Sequence, residues 1–126
     1  MRLLLDTAVL IFAVSAPDRL SRRATAALQD IDHVLELSSV SLAEIAIKTA
    51  LGKLNVTAAV SRQALHELGV RVLPYSSEHA FQLFGLPRHH ADPFDRQIIA
   101  QALWEQIPVI TPDEKFGLYK GLKIIW

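Results

Sequence analysis

The chain has 126 residues, with 13 basic and 13 acidic side chains, zero formal net charge, 51% hydrophobic residues and no cysteine. Its length suits one domain with a sizeable core and is too short for two. Without cysteine there is no disulfide, thiolate zinc site or cysteine nucleophile, and balanced charge provides no global basic field for nucleic acid. A mean hydropathy of +0.26 implies more apolar surface than so short a chain buries alone, so self-association or a partner is expected. The start, Met1 to Asp6, meets an acid after three leucines and does not read as a signal peptide. The longest apolar run, Ala8–Val14, is far below the ~20 residues that cross a bilayer. A cytoplasmic protein with no membrane contact is expected.

In chain order, Arg2–Leu5 predicts a buried strand and Thr7–Val14 an apolar turn of helix, broken by Pro17. Ser21 starts a helix through about Asp30, and Val34–Ser39 reads as a second strand. Ser41 is placed as the cap of a helix whose apolar positions Leu42, Ile45, Ala46, Ala50 and Leu51 keep helical spacing until Gly52. Thr57–Leu68 is a helix stopped by Gly69, Val70–Leu73 a third strand, and Ser76–Leu86 a helix ended by Pro87. Asp92-Pro93 is a strong helix start, a capping acid followed by proline at the first helical position, and that helix runs to about Gln106. Val109–Thr111 is a fourth strand and Lys123–Trp126 a short last one. Alternating strands and helices with almost no hairpin dipeptides predict a three-layer α/β/α domain around a mainly parallel sheet.

Four acids stand out in that layout: Asp6 and Asp113, each just beyond an apolar strand, and Glu44 and Asp95, each near the opening of a helix. In a parallel α/β sheet, strand carboxyl ends and helix amino ends share one rim, where ligands bind. Carboxylates gathered there repel one another, and a hard divalent cation is the usual reason to tolerate it. Each acid also has a plainer reading. Ser41-x-x-Glu44 matches a capping box, and Asp92 is well explained as a helix cap. Asp95 suits the helix dipole, and Asp113 suits a turn. Asp6 is hardest to dismiss, because an acid ending a buried strand must be paired, hydrated or ligating. A single metal site accounts for all four at once.

Lys48, four residues after Glu44, reads as a surface ion pair or a phosphate contact. Arg96 and Lys115 sit beside Asp95 and Asp113, Arg22-Arg23 reads as a solvated helix face, and His89-His90 as loop or substrate-side groups. No phosphate-cradling glycine loop occurs.

At these residues the chain resembles a known family. Leu4-Leu5-Asp6-Thr7, Ser39 to Lys48, His90 to Arg96 with Ala100-Gln101-Ala102, and Ile110-Thr111-Pro112-Asp113 are similar to PIN-domain ribonucleases. The nearest subgroup is the toxins of VapBC-type toxin–antitoxin pairs. The resemblance implies an α/β/α fold, a Mg²⁺ or Mn²⁺ site, endonucleolytic RNA cleavage, homodimerisation and a VapB-like antitoxin covering the site. It also implies that Asp6, Glu44, Asp95 and Asp113 are the catalytic, metal-holding quartet, with Thr7 and Thr111 as supporting hydroxyls. Thr7, Lys48, Arg96, Thr111 and Lys115 are the candidate substrate contacts. Ala8 departs from the subgroup's frequent Asp-Thr-His opening. An aspartyl-phosphate phosphohydrolase would want a second acid two residues after Asp6, where Ala8 stands. A phosphoacceptor signalling domain would want adjacent acids there and a lysine ending a late strand. The apolar stretch Val9–Val14 and the helix Leu42–Leu54 are the expected donors of docking surface.

Overall fold

Leu3, Leu4 and Leu5 are all fully buried, although successive strand residues point to opposite faces. The first strand is therefore covered on both sides. In the computed structural model, which describes residues 1–126, Leu3 and Leu5 join one apolar cluster with Leu10, Leu35, Leu37 and Ile45. Leu4 joins another with Ile98, Ile99, Val109, Phe116 and Tyr119. These two cores lie on opposite faces of one sheet and make the three layers.

The strands are β1 (Arg2–Leu5), β2 (Val34–Ser38), β3 (Val70–Leu73), β4 (Val109–Ile110) and β5 (Ile124–Ile125). Their order is β3-β2-β1-β4-β5, and every pairing is parallel. The helices are α1 (Thr7–Ser15), α2 (Arg22–Gln29), α3 (Ser39–Ala50), α4 (Ala58–Leu68), α5 (Ser77–Gln82) and α6 (Pro93–Glu105). From β1 the chain moves one way to β2 and β3, then returns across β1 to β4. The crevice between β1 and β4 is thus the topological switch point, where a parallel sheet opens a ligand cleft beyond its strand carboxyl ends. No helix is long and apolar enough to cross a membrane.

Local chemistry explains most boundaries. Ser21 and Thr57 cap α2 and α4 through their hydroxyls. Gly69 ends α4 with φ of 65°, in the left-handed region where glycine carries no side-chain penalty. Two expectations are corrected. The helix placed from Ser76 to Leu86 is α5 followed by a 3₁₀ turn at Leu83–Gly85, as Gly85 and Pro87 prevent a regular continuation. The cap of α3 is Ser38, whose hydroxyl accepts from the Val40 amide, not Ser41. Strand β2 runs into α3 with no intervening loop, so the helix begins two residues before Ser41. The Ser41–Glu44 capping box does not form, and Glu44 sits in the second turn rather than at the helix start.

Candidate metal centre

Asp6 follows the last residue of β1 and is 5% exposed. Its Oδ2 accepts a hydrogen bond from Thr111 Oγ1 at 2.8 Å. It stands at the N-cap position of α1 without a side-chain capping bond. Burial pushes its pKa up to about 6, against the opposing pull of the Thr111 hydroxyl. Glu44, also 5% exposed, receives Lys48 Nζ on Oε2 at 2.7 Å, while its buried Oε1 has no partner. Hydrogen bonding to Glu44 raises the Lys48 pKa.

Asp92 caps α6, its Oδ1 accepting from the amides of Phe94 and Asp95 at 2.9 and 3.0 Å. That cap sets the first turn so that Asp95 enters the same cleft. Burial, then the charges of Asp6, Asp92, Glu44 and Asp113, raise the Asp95 pKa to about 8. Asp113 caps the 3₁₀ turn Glu114–Leu118 through the Lys115 amide, and its own amide donates to Thr111 Oγ1 at 3.0 Å. Thr111 thereby ties the β1 acid to the β4 acid. Thr7 Oγ1 donates to Ser41 Oγ at 2.8 Å inside the protein, which pins the start of α1 to α3 and sets Asp6 against Glu44. This internal bond is the role of Ser41, in place of the cap read from sequence.

The predicted acids therefore meet: Asp6, Glu44, Asp95 and Asp113 line one cleft of about 300 Å³, with Asp92, Thr7 and Lys48 in its wall. The basic candidates separate. Lys48 reaches the cleft, Lys115 is exposed, and Arg96 turns away to the carbonyls of Pro87 (2.7 Å) and Leu86 (3.2 Å). Arg96 braces the segment before α6 because those carbonyls have no helical partner. Arg22 and Arg23 are exposed on α2 as read.

Sequence reasoning set His90 aside, and the structure brings it in. Its side chain is 6% exposed, with Nε2 3.5 Å from Asp95 Oδ2. Ligating atoms of His90, Asp95 and Asp113 all lie within 4.8 Å of one another. The available signal was only an adjacent histidine pair before Asp92. What orients the ring is Tyr119, at 2.8 Å from Nδ1 and 29 residues away.

The cleft at the switch point of this parallel α/β sheet thus gathers four mutually repelling carboxylates, Asp6 and Glu44 buried and Asp95 and Asp113 partly so. The PIN domain family model matches residues 3–122, and the chain belongs to the PIN domain family. Its fold is similar to that of a chain of VapBC2 from Rickettsia felis bound to a DNA fragment from their promoter. That match has a TM-score of 0.74 and 17% identity, over 98% of this chain and 97% of that one. DNA-bound VapBC from Salmonella typhimurium aligns with a TM-score of 0.67 and 16% identity, over 98% and 96%. VapBC-5 from Mycobacterium tuberculosis, a member of the VapBC family of toxin-antitoxin systems, aligns at 0.62 with 22% identity, over 98% and 96%. No curated protein matches the chain by sequence.

Proposed function

We propose that the chain is a divalent-metal-dependent endoribonuclease and the toxin of a VapBC-type toxin–antitoxin pair. One observation carries the nuclease reading: four acids spread from position 6 to position 113 line a single cleft, two of them with pKa values raised by burial. The donor set is all oxygen, apart from His90, and suits Mg²⁺ or Mn²⁺. The buried, unpartnered Oε1 of Glu44 fits that role, since an acceptor left bare in the interior is costly. Asp6, Glu44, Asp95 and Asp113 would hold the ion, which would supply Lewis-acid polarisation of a phosphodiester and a lowered pKa for an attacking water.

The chain's own residues organise the rest. Thr111 holds Asp6 and the Asp113 backbone in fixed relation, the Thr7–Ser41 bond spaces Asp6 from Glu44, and Asp92 aims Asp95. In the metal-free cleft Asp95 is the acid on which a proton sits most readily near neutral pH, and a cation held there would displace that proton. Lys48, attached to Glu44, offers the one cation at the cleft wall for a phosphate.

The toxin role rests on the family and on likeness to VapBC complexes. An apolar groove of about 300 Å³ lined by Leu42, Ile45, Ala46, Val56, Leu65 and Val72 supports it as a seat for an antitoxin helix. The test is cleavage of a structured RNA by purified protein with Mg²⁺ or Mn²⁺. Activity should vanish on chelation and in Asp6→Asn and Asp95→Asn, with folding retained. Undiminished cleavage by either variant overturns the site. Growth arrest that persists on co-expression with the adjacent open reading frame, with no complex purified, overturns the toxin role and leaves the nuclease standing.

A further inference from the structure

The proposed metal centre has a nitrogen at its edge that the four acids do not account for. Four buried side-chain atoms lack a partner: Glu44 Oε1 among the acids, and Tyr75 Oη, His90 Nε2 and Gln101 Oε1 outside them. Of these last three only His90 is grouped with acids of the centre. The His90 side chain is 6% exposed, and Nε2 faces Asp95 Oδ2 at 3.5 Å. That separation is too long for a good hydrogen bond, yet it is close to the spacing of atoms sharing one cation. Metal–ligand bonds of about 2.1 Å place neighbouring ligands roughly 3 Å apart and opposed ones roughly 4 Å apart. The ligating atoms of His90, Asp95 and Asp113 all fall within 4.8 Å of one another.

The ring is also held as a ligand needs to be. Nδ1 lies 2.8 Å from the hydroxyl of Tyr119, which is 1% exposed. Arg96 Nη1, itself anchored on the Pro87 carbonyl, approaches the same hydroxyl at 3.4 Å. Phe116 and Tyr119 pack edge-on against the imidazole at 5.9 and 5.6 Å. A histidine that binds metal through one nitrogen characteristically has the other fixed by an outer partner, which sets tautomer and ring direction. With Nδ1–H donating to Tyr119, Nε2 keeps its lone pair free on the side that faces Asp95.

We propose that His90 is a nitrogen ligand of this centre, completing with Asp95 and Asp113 a site that takes Mn²⁺ in preference to Mg²⁺. Oxygen-only sites suit Mg²⁺, and an imidazole donor moves preference toward transition metals. The inference rests on the acid-site reading and assigns Tyr119 and Arg96 as the residues that position His90.

Pulsed electron paramagnetic resonance of Mn²⁺ bound to the whole protein tests it directly. Wild type should show ¹⁴N coupling to the ion, and His90→Gln should not. By calorimetry, His90→Gln should weaken Mn²⁺ on the order of tenfold, with a smaller loss for Mg²⁺. Mn²⁺ bound to wild type with no ¹⁴N coupling overturns the ligand assignment. If His90→Gln also weakens binding in that case, His90 serves instead as a hydrogen-bond donor to Asp95. Should Asp95→Asn abolish Mn²⁺ binding while no nitrogen appears, the acid centre stands and this inference alone falls. Wild type that binds no Mn²⁺ overturns both. The wild-type spectrum decides even if the glutamine variant folds poorly.

Discussion

Asp95 and Asp6 carry their charge against resistance, and the sign of that resistance makes a prediction. An unfolded aspartate titrates near 3.9, whereas Asp6 is raised to about 6 and Asp95 to about 8. Between about pH 4 and pH 8 the folded metal-free protein therefore holds more protons at these sites than the unfolded chain. The stability they contribute is complete at low pH and is lost as pH rises through 6 and then 8. Asp95→Asn should remove most of this slope and stabilise the metal-free protein at pH 8 by at least about 1.4 kcal/mol, the worth of one pKa unit. Urea unfolding at pH 5 and pH 8 checks it, and a slope equal to wild type would refute it. Asp92→Asn is expected to behave differently. Asparagine caps a helix about as well as aspartate, so metal affinity should hold and stability should change by less than about 0.5 kcal/mol; calorimetric titration with Mn²⁺ decides this. At this scale the sequence was legible where a residue contradicted its surroundings, as Asp6 does at the end of a leucine strand. His90 was not legible, because only the packing of Tyr119 turns its ring toward the acids.

The elements were easier to read than their joints. Leucine-rich strands, the Asp92-Pro93 helix start and the Gly69 stop each carry their own local physics. The junction of β2 with α3 does not, since Ser38, Ser39 and Ser41 are chemically alike and three different fates are assigned by tertiary pairing. Ser38 closes β2 opposite Leu73 and caps α3. Ser39 Oγ accepts from the Tyr75 amide, and Ser41 accepts from Thr7. Two substitutions separate these roles. Ser38→Ala removes a cap and should cost about 1 kcal/mol. Ser41→Ala leaves the helix start intact but strands the buried Thr7 hydroxyl, at about 1–3 kcal/mol. Because that bond spaces Asp6 from Glu44, Ser41→Ala should also weaken metal binding, which Ser38→Ala should not. Denaturant unfolding and calorimetry on the two variants check this together, and equal metal affinities would refute the spacing role.

Over the whole molecule, the apolar excess read from composition appears as specific surface. Phe84 is 88% exposed, Leu51 64% and Phe81 63%. The stretch Val9–Val14 offers less than expected, since Val9 and Leu10 are spent on the core. Light scattering of the free protein should return a dimer at concentrations on the order of tens of micromolar, and a monomer there would refute self-association. In the apolar groove, Ala46 is exposed on α3. Ala46→Arg should abolish co-purification with the antitoxin while leaving RNA cleavage within about twofold of wild type, a change of about 0.4 kcal/mol. Retained co-purification would move the antitoxin seat elsewhere. The sheet order was beyond the sequence, because nothing local to Val109 says that it pairs with Leu4.

That pairing has a consequence for the chain as it is being made. The hydrogen bond from Thr111 to Asp6 spans 105 residues, and β1 finds its β4 neighbour only after everything between them has left the ribosome. At about 5–20 residues per second, the gap lasts roughly 5–20 s. Throughout that interval Asp6 has neither Thr111 beside it nor Asp113 across the cleft. The carboxylate that begins the cleft waits for the residue that holds it, and the four acids cannot meet until β4 and Asp113 have emerged.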